Sequence, residues 1–137
     1  MDKKAPDLFV SSPNKDKLQA LYESFISNVR EIAPKVDAIL LLKAMRLERM
    51  FPGDLPHVHL EIDFTDDVDI NIPKYQISEK FTVATSVHRW EKTKLVVSGK
   101  MSVDNILEIA EHEKVIKIVG YANASHYWWS EWYGRIM

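Results

Sequence analysis

The sequence predicts an α+β fold: a single mixed, mainly antiparallel β-sheet with two helices packed on one face. Three observations predict it. Val58, Leu60, Ile62 and Phe64 alternate with His57, His59, Glu61 and Asp63, the period of two of a strand with one buried face. Leu18, Leu21, Tyr22, Phe25, Val29 and Ile32 recur at the spacing of one helical face. The 137 residues, 46% of them hydrophobic, suffice for one core but not for two full domains, so residues 1–137 read as one globular domain.

The elements follow in order. Leu8-Phe9-Val10 is a short strand candidate. Ser12 and Pro13 signal a helix start, with Ser12 as cap and Pro13 in the first turn, where its missing N–H costs nothing. The helix carries the apolar stripe just named and should stop at Pro34. Val36 to Leu47 is ambiguous, because a short apolar run such as Ala38-Ile-Leu-Leu-Leu suits either a helix or a buried strand. The reading favours a strand. Met50-Phe-Pro-Gly-Asp-Leu-Pro then reads as a turn into the alternating strand that ends at Phe64. Val68, Ile70 and Ile72 repeat the alternation and suggest a further strand, ended by Pro73.

Lys74 to Lys80 reads as a loop and Phe81 to Trp90 as a strand. Glu91-Lys-Thr-Lys is a polar turn leading to a hairpin partner at Leu95-Val-Val-Ser. Ser102 caps a short helix with Val103, Ile106, Leu107 and Ala110 on its inner face. Val115-Ile-Lys-Ile-Val closes the pattern as a strand. Strand, helix and strand in so short a span suggest a right-handed crossover between parallel strands.

Composition narrows the function. Eighteen basic residues face twenty acidic ones, a net charge of -2, with both signs interspersed. The tightest basic cluster, Lys43, Arg46 and Arg49, is diluted by Glu48, which disfavours nucleic acid as a partner. No cysteine is present, so thiolate metal sites and thiol nucleophiles are excluded. The four glycines are scattered, which excludes the glycine-rich nucleotide loops and the nucleophile elbow. No apolar run is long enough for a secretory leader or a membrane span, so the expectation is a cytoplasmic protein with no membrane partner.

Three constellations are candidates for chemistry. On the clearest strand, His57, His59 and Glu61 project from one face, and two imidazoles with a carboxylate form a ligand set for a divalent transition metal such as zinc or iron. His88 would add a third nitrogen if its strand were a neighbour. The alternative is the hydrated face of a half-buried strand. Asp67-x-Asp69-x-Asn71 matches part of a calcium loop, but Ile72 replaces the required glycine and Ser78 the required glutamate, so a solvated turn is expected. The aromatic-rich C-terminus, Ser125-His-Tyr-Trp-Trp-Ser-Glu-Trp-Tyr-Gly, holds Trp128, Trp129, Trp132 and Tyr133. A single helical face cannot bury them all, so the segment is either an interface or a cover for the open side of the sheet.

The stretch from the first helix through Pro34-Lys-Val-Asp-Ala-Ile to the strand ending Leu60-Glu-Ile-Asp-Phe is similar to the C-terminal domain of SseB-type proteins. The similarity stops before Pro73 and contains no functional motif, so it implies no activity or site residue here.

No complete catalytic set is legible. Ser86 and His88 share a strand without a third member placed by sequence. The sequence therefore points to a small non-enzymatic binding or regulatory module, antitoxin- or immunity-like, acting through a protein partner or self-association as a homo-oligomer, with no cofactor. The competing expectation is a metal- or ligand-dependent enzyme using the His57, His59 and Glu61 face.

Overall fold

The computed structural model describes residues 13–124. Among them are α1 (Asn14–Ile32), α2 (Ala38–Met50), β1 (His57–Phe64), α3 (Asn71–Phe81), β2 (Ala84–Val87), β3 (Lys94–Lys100), α4 (Val103–Ala110) and β4 (Val115–Asn123). The strands form one sheet in the order β2-β3-β1-β4, with every neighbouring pair antiparallel. One isolated parallel bridge, Val36 to Ile118, is added at the β4 edge. The α+β class and the single, mainly antiparallel sheet are as expected. The helices number four among the described residues rather than two.

The two added helices have physical causes. The Val36–Leu47 segment, expected as a strand, contains α2. Its residues are mostly strong helix formers (Ala, Leu, Lys, Met, Arg, Glu), with Ile39 alone β-branched. The Asp37 carboxylate accepts from the Ile39 N–H at 3.4 Å and caps the first turn. Ala38, Leu41 and Ala44, with Leu40 and Leu47, then fall on one buried face.

The second correction is α3. Pro73, expected to end a strand, sits in the first turn of this helix, where no intrahelical N–H is needed. Asp69 organises the start: its carboxylate accepts from the Asn71 N–H at 3.1 Å, and its carbonyl from the Ile72 N–H at 3.0 Å. The expected loop at Lys74–Lys80 is therefore helix, and it ends at Thr82 in a left-handed conformation. The strand expected over Phe81–Trp90 shrinks to the four residues of β2.

At the start of α1, Pro13 stands at the N-cap rather than inside the first turn, with no side-chain cap, and Ser12, the expected cap, lies outside the described residues. α1 ends where Pro34 follows Ala33. Ser102 caps α4: its hydroxyl accepts from the Asn105 N–H at 3.1 Å, and the Asn105 side chain accepts from the Ser102 N–H at 3.0 Å. The crossover from β3 through α4 does lead to a strand of the same direction, since β3 and β4 both run antiparallel to β1. The two do not pair, because β1 lies between them. The unit β1-α3-β2-β3-α4-β4 thus has the connectivity and strand order of the split β-α-β, ferredoxin-like motif.

The core lies on one side of the sheet. Val58, Leu60, Ile62 and Phe64 of β1 join Leu95 and Val97 of β3 and Ile118 and Ala122 of β4. Leu40, Leu41, Ala44 and Leu47 of α2, Ile77 of α3, and Ile106 and Ile109 of α4 cover them. α1 packs on α2; Ile26 and Ala33 are buried, and Ala33 and Val29 join the core cluster. No described helix is long and apolar enough to cross a membrane.

Candidate functional site

The one-sided core leaves the other face of the sheet open, and β1 places His57, His59, Glu61 and Asp63 there by simple alternation. The register supplies their neighbours. His59 lies between Ser98 and Tyr121, Glu61 between Val96 and Val119, and Asp63 between Lys94 and Lys117. The His59 and Tyr121 rings stack at 5.1 Å between centroids and 18° between planes. Lys94 Nζ lies 3.0 Å from Glu91 and 3.8 Å from Asp63. Glu91, with Asp63 and Glu61 behind it, holds the Lys94 ammonium above its usual range. At the Phe64 end of the face, Asp63 thus lies between two lysines, Lys94 and Lys117.

His57, His59 and Glu61 therefore share a face, as expected. His88 does not join them. It follows β2, donates its N–H to the Lys94 carbonyl at 2.8 Å, and so lies level with Lys94. His59 lies level with Ser98. Four residues of β3 separate these levels, roughly 13 Å. The His88 ring is engaged locally: Nδ1 accepts from the Trp90 and Glu91 N–H groups at 3.1 and 3.2 Å. Among the described residues no group of three or more His, Asp or Glu side chains is placed to hold a metal ion. Trp128, Trp129, Trp132 and Tyr133 lie outside the described residues.

Between α3 and α4 is a cavity of about 190 Å³, walled by Phe64, Ile77, Phe81, Ile109 and Val115. The Lys80–Glu108 ion pair joins the two helices beside it. His112 stands edge-on to Phe64 at 6.3 Å.

The outer side of α1 is a second open surface among the described residues. The single stripe inferred from the sequence is two stripes about a quarter-turn apart. Ile26, Val29 and Ala33 face the body, and Ile26 is 6% exposed. Leu18 and Leu21 are 66% and 67% exposed, Tyr22 52% and Phe25 48%. Beside Phe25 a groove runs onto α2, lined by Leu42, Met45, Arg46, Arg49 and Met50. The spacing places Leu18, Leu21, Tyr22, Phe25, Val29 and Ile32 on one helical face, which does not separate them into a buried and an exposed set. Ile26 is the signal that could have done so, since an apolar residue outside the stripe offers the helix a second face to bury.

Comparison with known proteins returns no match: no protein family, no curated protein and no solved structure aligns with the chain.

Proposed function

We propose that the protein is a small non-enzymatic binding module, of the regulatory kind typified by antitoxins and immunity proteins, that acts through protein–protein contacts. The observation that carries this reading is the outer face of α1. Four large apolar side chains stand about half or more exposed on a helix whose other stripe already holds it to the fold. Isolated exposed apolar residues need no explanation, but a contiguous patch of this kind marks an interaction surface. The occupant it suits is an apolar helix laid beside α1 in the groove against Met45 and Met50. A lipid surface suits it less. Helices that lie on membranes carry a basic polar face, whereas α1 balances Lys15, Lys17 and Arg30 with Asp16, Glu23 and Glu31.

The test is a photo-crosslinking amino acid placed at Phe25 in the full chain and activated in the native cell. The reading predicts a covalent polypeptide adduct that Leu21→Glu abolishes, with no such adduct from the same group at Trp90, an exposed aromatic on the β2–β3 turn. Absence of any polypeptide adduct at position 25 would refute it.

A further inference from the structure

We infer that the helix received by α1 is α1 of a second copy, packed antiparallel about a two-fold axis. This rests on the binding-module reading and names its partner. The first observation is spacing. Leu18, Leu21, Phe25, Asn28 and Ile32 follow one another in alternating steps of three and four residues, the seam of a two-helix interface. All five are exposed. The seam therefore lies on the side of α1 that the fold leaves uncovered.

The second observation is charge order. An antiparallel pair with its axis at the level of Glu23 sets Leu21 against Phe25 of the second copy and Leu18 against Asn28. The same register brings Lys17, which flanks the seam, beside Glu31 of the second copy, and the two-fold repeats that contact at the other end. A parallel pair would instead set Lys17 beside Tyr22 and Ser24 beside Val29 of the second copy, and would leave Lys17 and Glu31 roughly two helical turns or more apart. The order of charges along α1 thus selects the antiparallel arrangement.

The third observation is area. Leu18, Leu21, Tyr22, Phe25, Met45 and Met50 are each between 43% and 67% exposed. Together they offer on the order of 600 Å² of mostly apolar surface, close to the roughly 800 Å² that each partner contributes to a stable interface. Since α1 already packs on α2, two copies would bring α1 and α2 of each into a four-helix arrangement, with Phe25 and Met45 at its centre.

The experiment is sedimentation of the full-length chain over a range of concentrations, with circular dichroism of each variant as the check on folding. The wild type is expected to form a species of twice 15.9 kDa. Leu21→Glu and Phe25→Glu each remove a buried contact from the seam and should weaken it at least about thirtyfold, with helicity retained because both residues are exposed in the single copy. Lys17→Glu should weaken association, and adding Glu31→Lys to the same chain should restore it. A helix that merely folds on its own body would show no such rescue.

A strictly monomeric protein at about 200 µM would overturn the inference, as would a dimer indifferent to both seam substitutions. A dimer dissociated by Trp129→Ala with Trp132→Ala, yet untouched by Leu21→Glu, would place the interface in the C-terminal segment and overturn it equally. A monomer whose position 25 still crosslinks to another polypeptide would overturn the self-pairing and leave the binding-module reading standing. A monomer with no adduct would remove both.

Discussion

Adding one methyl group to β4 should break the sheet. Gly120 faces Leu60 in the β1–β4 register. A Cβ built there would lie 1.9 Å from the His59 carbonyl oxygen and 3.0 Å from the Leu60 Cα. Carbon and oxygen approach to roughly 3.3 Å, so β1 and β4 would have to part locally by more than about 1 Å. Both obstructing atoms are backbone, and no rotamer change relieves the contact. Parting the strands costs ladder hydrogen bonds worth about 1 kcal/mol each and displaces Leu60 and Ile118, which are fully buried. The expected loss for Gly120→Ala is therefore about 3–5 kcal/mol, a large part of a stability of roughly 5–15 kcal/mol.

Gly53→Ala is the control. It also has a positive φ, of 83°, but nothing lies within 4 Å of its added Cβ. It should cost only the left-handed backbone penalty, about 1–2 kcal/mol. Urea denaturation followed by circular dichroism measures both. A Gly120→Ala loss no larger than that of Gly53→Ala would refute the close approach of the two strands, and with it the register that defines the open face.

Three further outcomes follow from the same structure. In dilute protein, Ile26→Ala should lower the urea stability by about 2–4 kcal/mol while Leu21→Ala changes it by less than about 0.5 kcal/mol, because the first faces the body and the second faces solvent. Ser102→Ala should cost about 1 kcal/mol by removing one half of the reciprocal cap of α4, read as a fall in denaturation midpoint. Lys114, whose ammonium lies 2.7 Å away, and the Thr65 hydroxyl hold the Asp67 carboxyl down at about 2 from an ordinary 3.8. Its contribution to stability is then present above pH 3.8 and lost as pH falls through about 2. A carboxyl titration by NMR should show that low midpoint, and Lys114→Met should move it back up.

Much of this fold is legible in the sequence where local chemistry and tertiary packing agree. The alternation in β1 and the Ser102 cap of α4 are read correctly because the residues that set local structure also set burial. α2 and α3 are misread where one signal serves two structures. An apolar run fits a strand or a buried helix, and at α2 the deciding signal was the length and helix-forming composition of the whole Ala38–Met50 stretch. Pro73 punctuates either the end of a strand or the first turn of a helix, and Asp69 decides by occupying the first free N–H groups of α3.

The site follows the same division. That His57, His59 and Glu61 share a face follows from strand period alone. Where His88 lies depends on strand order, which periodicity does not carry. On α1 the hydrophobic pattern locates the apolar residues. It does not say which stripe the body of the protein will use, because that depends on where α2 packs.

Hydrogen exchange along α1 as a function of protein concentration reads the pairing of that helix at its own amides. The fold alone protects the α1 amides to a fixed degree, set by local opening and independent of concentration. If a second copy closes on the outer face, protection over residues 18–25 should rise steadily from about 1 µM to about 200 µM, while β1 and β3 stay unchanged over that range. Leu21→Glu should abolish the rise. An exchange profile of α1 that is identical at both ends of that range would show that no second copy closes on the outer face.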